Sequence, residues 1–319
     1  MHLIVIPFFL LISIFPFVYY VCKVRPEVVH CRNLISSFLA NIAKKMFAFK
    51  YKVVCDPRSV YVEECVIEHA FRYQGVNYKV WKKMEKWIYH TSDACIGLSY
   101  NFKQYLKSYN GNSYYVPAVV GDNYIFSDVR RAELRAKWNL GEHDMVCCYI
   151  GSIGTWHSLE KMISNVKFLI NKYKNKQIRI VFLSGNTMAC NEITKQFNSE
   201  IILKNGRVKP NEVLDYLLMS DIGLVPGSDN NGFCYDLLYD TMISSKAEEY
   251  LSSGLPIMVN TRIGSLAKLV LDNKSGYIFD GKKIIEAVSD RNSISMVFNN
   301  MFCVSNVVKN YIVIYNSLF

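Results

Sequence analysis

The sequence predicts an α/β protein built from two successive series of parallel strand–helix units. Three observations carry this expectation. Short apolar runs alternate with amphipathic stretches of helical spacing along most of the chain. The alternation pauses over residues 121–144, which are polar and charged and contain Arg130, Arg131, Glu133 and Arg135, and then resumes. The length of 319 residues, 51% of them hydrophobic, suffices for two domains with separate cores.

The elements follow in order. Residues 27–32 read as a short strand after an uncharged opening. Residues 34–47 have helical spacing, with Ile35, Phe38, Leu39, Ile42 and Met46 on the apolar side. Residues 51–55 read as a buried strand ending in Asp56-Pro57-Arg58. Residues 77–90 form an amphipathic helix, with Tyr78, Trp81, Met84, Trp87 and Ile88 facing inward and Lys79, Lys82, Lys83 and Lys86 on a face that either water or lipid headgroups would meet. Strands at 94–98 and 114–120 complete the first series. The connection holds a short helix. The second series has strands at 146–150, 178–183, 201–204, 222–225, 257–260 and 277–279, with helices at 159–173, 211–219 and 265–271. Pro210 suits the first turn of its helix. Residues 304–318 are helical and aromatic, with Val307, Tyr311, Ile314, Tyr315 and Leu318 on one side. The expected domains are 1–125, a linker at 126–144, and 145–319.

Net charge is +10, from 37 Lys and Arg against 27 Asp and Glu. Such a surface favours anionic partners: phosphates, nucleic acid or an anionic membrane leaflet. No zinc-finger spacing or arginine-rich tract accompanies the charge, so nucleic acid is not an expected partner. The ten cysteines include no C-x-x-C pair, and Cys55, Cys95, Cys147 and Cys148 lie inside predicted elements. They read as buried thiols of a reducing cytoplasm. The six histidines have no ligand spacing with them, and no metal site is expected. Residues 3–22 carry no charge and are followed by Lys23 and Arg25. About 20 apolar residues suffice to span a bilayer, and the positive flank would place the chain that follows at the cytoplasmic face of the cell membrane. Pro7 and Pro16 would kink such a helix. No cleaved signal is expected, since no cation precedes the run. A single span and a helix lying on the membrane or against the domain both stay open.

Residues 244–260 are the most informative segment. Ser245 and Glu248 have the spacing of a capping box. Gly254 supplies the helix stop, and Leu255-Pro256 lead into the strand Ile257-Met258-Val259. Glu249 is then left without a local role. Lys246 stands in the first turn, the unfavourable end of the helix dipole for a cation, which suggests that an anion fills the site. N–H groups at a helix start bind phosphate readily.

This segment resembles the nucleotide-sugar motif of GT-B glycosyltransferases, specifically retaining glycosyltransferase family 4. Lys246, Glu249, Gly254 and Pro256 fit the proline-x-lysine version of that motif, with Ser244 in place of its proline. The first glutamate of the E-x7-E version would fall at Thr241 and is absent. The resemblance implies two Rossmann-like domains facing a cleft, with Glu249 holding the ribose of a UDP- or GDP-sugar. A plain solvent-facing glutamate is the alternative. Gly151, Ser152 and Gly154 follow the first strand of the second series, where backbone N–H groups approach a diphosphate. A tight turn without a ligand reads the same way. Arg207 and Val208 stand where the family's loop lines the base, residues 227–240 where its variable loop approaches the sugar, and Gly264 matches a recurrent glycine. On the acceptor side, Asp56 and Arg58 with Glu64 resemble the family's D-x-R…E segment. Arg58 could pair with a phosphate, or with Asp56 or Glu64. The family's glycine-rich loop after the first strand is missing, so either the chain starts late or the N-terminal acceptor-side domain is reduced.

The resemblance implies a retaining, metal-independent hexosyltransferase that needs no cofactor beyond its nucleotide-sugar. Its acceptor would be lipid-linked or a polysaccharide at the membrane surface. A non-catalytic GT-B partner subunit and a sugar-nucleotide epimerase are the alternatives.

Overall fold

The computed structural model describes the backbone of residues 2–319 and the side chains of residues 12–319. The chain forms two compact units. The first takes the residues up to Pro117 with Gly232–Met242 and Val308–Phe319, and the second takes Ala118–Asn231 with Ile243–Val307.

In the first unit, α1 (His2–Val24) leads into β1 (Val28–Cys31), α2 (Leu34–Met46) and β2 (Lys52–Cys55). Then come α3 (Tyr61–Ile67), α4 (Val76–Thr91), β3 (Ala94–Gly97), α5 (Tyr100–Lys107) and β4 (Ser113–Tyr115). The four strands pair in chain order, all parallel. Val53, Val54, Cys55, Ala94, Cys95 and Ile96 are fully buried, as strands covered on both faces require. α1 lies on this unit through Phe17 and Val21, which pack against Cys31, Ala40, Tyr51 and Val53. The expected apolar segment 3–22 falls within α1, and its side chains before residue 12 lie outside the described residues. Among the described residues no helix is long and apolar enough to cross a membrane.

The lysine face expected on α4 is only partly solvated. Lys82 turns inward, 3.1 Å from Glu63, and bonds Glu85 and the Tyr105 hydroxyl (2.9 Å). Both carboxylates are fully buried. Tyr78 donates to Glu63 at 3.1 Å and Tyr89 to Glu85 at 3.3 Å. A buried carboxylate survives only with partners of this kind, and the pattern of spacings could not reveal it.

The second unit begins with α6 (Asp128–Lys137), then β5 (Asp144–Ile150), α7 (Leu159–Lys172), β6 (Gln177–Leu183), α8 (Thr187–Gln196) and β7 (Ile202–Asn205). It continues through α9 (Val213–Met219) and β8 (Ile222–Val225). α10 (Phe233–Thr241) comes next but packs in the first unit, against α3 and α5. This segment was expected to be loop; Ser99 ties it down by donating to the Thr241 carbonyl at 2.6 Å. The rest is α11 (Ser245–Ser252), β9 (Ile257–Asn260), α12 (Gly264–Asp272), β10 (Ser275–Phe279), β11 (Ile284–Val288), α13 (Arg291–Phe302) and α14 (Val304–Asn316).

The sheet order is β11-β10-β9-β8-β5-β6-β7, parallel except for β11, an antiparallel edge strand the sequence pattern did not announce. Without that edge, the order is that of a doubly wound Rossmann sheet, whose direction of winding reverses between β5 and β8. The expected linker helix α6 is bound to this unit. Arg131 donates to the carbonyls of Leu218 (2.8 Å) and Ser220 (2.7 Å) and to Asp221 (2.5 Å). Arg135 reaches Asp221 at 3.0 Å. Arg291 bonds the carbonyls of Leu218, Ser220 and Gly254 at 3.1, 2.6 and 2.9 Å and lies 4.4 Å from the Phe126 ring centroid. Cations at a helix C-terminus oppose its dipole and satisfy its last carbonyls. The last part of α14 joins the first unit, where the Tyr315 hydroxyl meets His30 Nδ1 at 2.6 Å.

Candidate functional site

In a doubly wound sheet the ligand crevice lies outside the carboxyl ends of the strands flanking the reversal. Here those strands are β5 and β8. β5 ends in the buried pair Tyr149 and Ile150, and the chain turns at Gly151 with φ +108°. The Gly151 N–H donates to the Leu183 carbonyl at 2.9 Å, so the turn stays anchored to β6.

Into this turn runs Lys246 from the second position of α11. Its ammonium donates to the Tyr149 hydroxyl at 3.0 Å and lies 4.5 Å from that ring's centroid. Tyr149 in turn donates to the Ser152 carbonyl at 2.6 Å. The fit is close: a Cβ on Gly151 would stand 3.2 Å from Lys246 Cε and 3.3 Å from its Nζ. Burial lowers the ammonium to about 8, against an opposing pull from Glu249. Burial likewise raises the Glu249 carboxyl, and Lys246 draws it back. Glu249 also bears on the Tyr124 hydroxyl, which burial has already raised.

The expected capping box is not formed. Ser244 is the N-cap and makes no side-chain cap bond, while Ser245 is the exposed first residue of the helix. Glu248 is buried. A helix start without a side-chain cap keeps its amides for other acceptors. The stop matches expectation: Gly254 (φ +68°) donates to Leu251 at 3.0 Å and Leu255 to Tyr250 at 2.8 Å, the Schellman pattern.

His157 and Tyr149 escaped sequence reasoning. Tyr149 stands in an apolar run and reads as core. His157 had one signal, its place just beyond the glycine turn. Its carbonyl accepts from Gly154 N at 3.2 Å, and the N–H of Ser158 beside it donates to the Gly227 carbonyl at 2.9 Å, linking the loops after β5 and β8. The imidazole is buried with no partner for Nδ1. Burial, with the charge of Lys246, lowers it to about 3, so it is neutral. Gly151, Ser152, Gly154, Ser245, Lys246 and Glu249 thus belong to one neighbourhood, with Tyr149 and His157 as its inner wall.

The other candidates stand apart. Arg207 and Val208 follow β7 on the far side of β6 from β5, and the Arg207 guanidinium lies near the loop after β6, 3.7 Å from where a Cβ on Gly185 would be. Gly264 opens α12 after β9. Asp56, Arg58 and Glu64 lie in the first unit. Asp56 is fully buried after β2; its Oδ2 lies 3.2 Å from Arg58 and 3.5 Å from His30 Nε2, and its Oδ1 has no partner. Of the pairings open to Arg58, the structure shows the one with Asp56, at a left-handed φ of +68°. Glu64 is raised by burial, with a hydrogen bond from Ser59 opposing. Among the described residues no group of three His, Cys, Asp or Glu could hold a metal ion.

No family model matches the sequence, and no curated protein matches it. Solved structures do. A sucrose-phosphate synthase from Thermosynechococcus elongatus aligns with TM-score 0.69 at 14% identity, over 96% of this chain and 77% of that one. HepE from Anabaena in complex with UDP aligns with TM-score 0.67 at 12% identity, over 95% and 82%. The lipopolysaccharide outer core galactosyltransferase WaaB aligns with TM-score 0.61 at 14% identity, over 96% and 79%. The chain has the GT-B fold, with two Rossmann-like α/β units.

Proposed function

We propose that the protein is a glycosyltransferase of the family 4 type, taking a hexose from a UDP- or GDP-sugar. One observation carries the reading: a half-buried lysine is folded into the glycine turn at the reversal point of the second sheet, beneath a helix start with no side-chain cap. No carboxylate comes within salt-bridge distance of it among the described pairs. An ammonium held in this way is short of an anion, and a diphosphate satisfies it together with the Gly151–Gly154 amides and the α11 start. Glu249 then receives the ribose hydroxyls, and Arg207 lies toward the base. HepE, of the same fold, is crystallised with UDP and with UDP-glucose.

Catalysis in this reading rests on stabilising the departing diphosphate. Lys246 supplies positive charge where charge develops, a role that requires no divalent ion, and His157 offers a neutral imidazole at the same wall. The reaction proceeds with retention and needs no resident cofactor. The acceptor is a lipid-linked or polysaccharide chain at the inner face of the cell membrane, bound by the first unit through Arg58 and its neighbours. Thermal-shift and calorimetric titration with UDP, GDP and their sugars test the donor site. Stabilisation that disappears in Glu249→Ala supports it; no response to any nucleotide defeats it in favour of a non-catalytic subunit. Sugar analysis of the nucleotide product without acceptor exposes an epimerase.

A further inference from the structure

We propose that the outer face of α1, with the basic rim at its C-terminal end, docks onto an anionic lipid bilayer. This specifies the membrane partner of the reading above and rests on it for that partner, but on no feature of the donor site. α1 turns Phe17 and Val21 into the first unit. The stripe on the other side, at helical spacing, is Ile12, Phe15, Tyr19, Tyr20 and Val24, between 55% and 75% exposed. A water-facing helix puts charge on that side; this one puts aromatic rings there. Contiguous exposed apolar surface of this kind marks an interaction site.

The chemistry of the rim selects the partner. Lys23, Arg25 and Lys50 are all exposed around the end of the helix. The Lys23 ammonium lies 6.0 Å from the Tyr19 ring centroid. A cavity of about 540 Å³ opens there, with Val21, Phe49, Tyr51 and Phe319 on its walls and Arg25 and Lys50 at its edge. Glu27 is the carboxylate among its lining residues. Apolar rings with cations beside them match the acyl boundary and the anionic headgroups of a leaflet, with tyrosines at headgroup level. A second copy on the same two-fold patch would bring Lys23, Arg25 and Lys50 toward their own equivalents. The helix lies along the unit, bound by Phe17 and Val21, which suits an interfacial position.

The test is flotation of the full chain with phosphatidylcholine vesicles, with and without about 30% phosphatidylglycerol. Binding to the anionic vesicles is expected to exceed binding to neutral ones by at least about tenfold, and to weaken as NaCl rises from about 0.1 to about 0.5 M. The F15S/Y19S/Y20S variant loses at least about tenfold in partition, and K23E/R25E/K50E loses the preference for anionic vesicles. Alkylation of Cys22, exposed on α1, slows on vesicles while that of Cys303 does not. Absence of binding by the parent chain, unchanged binding by both variants, or a concentration-dependent dimer abolished by F15S/Y19S/Y20S overturns the proposal. UDP-induced thermal shifts, recorded on the same samples, separate the two readings: they persist in these variants if only the membrane proposal fails, and vanish in the parent chain if the donor reading fails.

Discussion

The ammonium of Lys246 gives the donor site a pH dependence that can be worked out in advance. Burial holds it at about 8 without ligand. A bound diphosphate favours the charged form and lifts it toward its ordinary value or above. Affinity for UDP is therefore full below pH 7 and declines as pH rises through 8. With a midpoint at about 8, the protonated fraction falls roughly tenfold between pH 7 and pH 9, equivalent to about 1.4 kcal/mol of binding. The neighbours do not confuse the signal. His157, at about 3, stays neutral; burial raises the Cys147 and Cys148 thiols beyond this window; and the terminal phosphate of UDP, with a pKa of about 6, is already ionised. The perturbation is Lys246→Met, which removes a charge-assisted contact worth about 1.5–3 kcal/mol and weakens UDP roughly 10- to 100-fold at pH 7. Its residual binding should be flat with pH. Lys246→Arg, charged throughout, should also be flat. The assay is calorimetric titration with UDP at pH 7, 8 and 9 at constant ionic strength. A flat profile for the parent chain, or the same decline in Lys246→Met, refutes the reasoning.

Other outcomes follow from single contacts. Gly151→Ala puts a methyl against Lys246 at a left-handed φ, and should weaken UDP by about tenfold while costing about 1–2 kcal/mol of stability in urea melts. Arg291→Met leaves the carbonyls of Leu218, Ser220 and Gly254 without their cation, a loss of about 3 kcal/mol. At about 2–4 °C per kcal/mol, a thermal melt should drop by about 6–12 °C. In the first unit, Glu85 is raised to about 6, chiefly by burial, and Glu63 adds to the rise while Lys82 and Tyr89 oppose it. A raised acid contributes stability below its unfolded value that is lost as pH rises through the folded one, here from about 4.5 to about 6 and amounting to about 2 kcal/mol. Urea melts across that interval should show the decline in the parent chain and a flatter profile in Glu85→Gln. Gly276→Ala would place a Cβ 2.0 Å from the Ile257 carbonyl oxygen between two paired strands, and should leave no soluble protein on expression.

The elements visible in the sequence are those with a strong period. Most strands stand close to their expected places because fully buried parallel strands read as unbroken apolar runs, as in Val53-Val54-Cys55 or Met258-Val259, whereas the strand expected at 114–120 ends at Tyr115. β11 was invisible because an edge strand with exposed Ile285 and Glu286 has no such run. α10 was hidden for another reason: its burial comes from α3 and α5, distant in sequence, so local composition read as loop. In the site, Lys246 and Gly151 were legible because each breaks a local rule, a cation at the wrong end of a helix and a glycine at a strand end. Tyr149 broke none. Lys82 was misread as a surface residue because its burial comes from Glu63 on another helix and from the Tyr105 hydroxyl, although its second carboxylate, Glu85, lies on its own helix. The capping box failed although its spacing was right, because the helix starts one residue earlier, with Ser244 as N-cap, which places Ala247 and not Glu248 at the third helical position.

Tyr315 completes the surroundings of His30 in the opening strand, and Arg291 completes the carbonyl end of α9. During synthesis neither partner exists when the earlier element leaves the ribosome. At about 5–20 residues per second, His30 waits roughly 15–60 s for its tyrosine. Both units are therefore open at one edge until Arg291 and Tyr315 have been made. A nascent chain stalled before Arg291 should be protease-sensitive in each, however much of the parallel sheets has already formed.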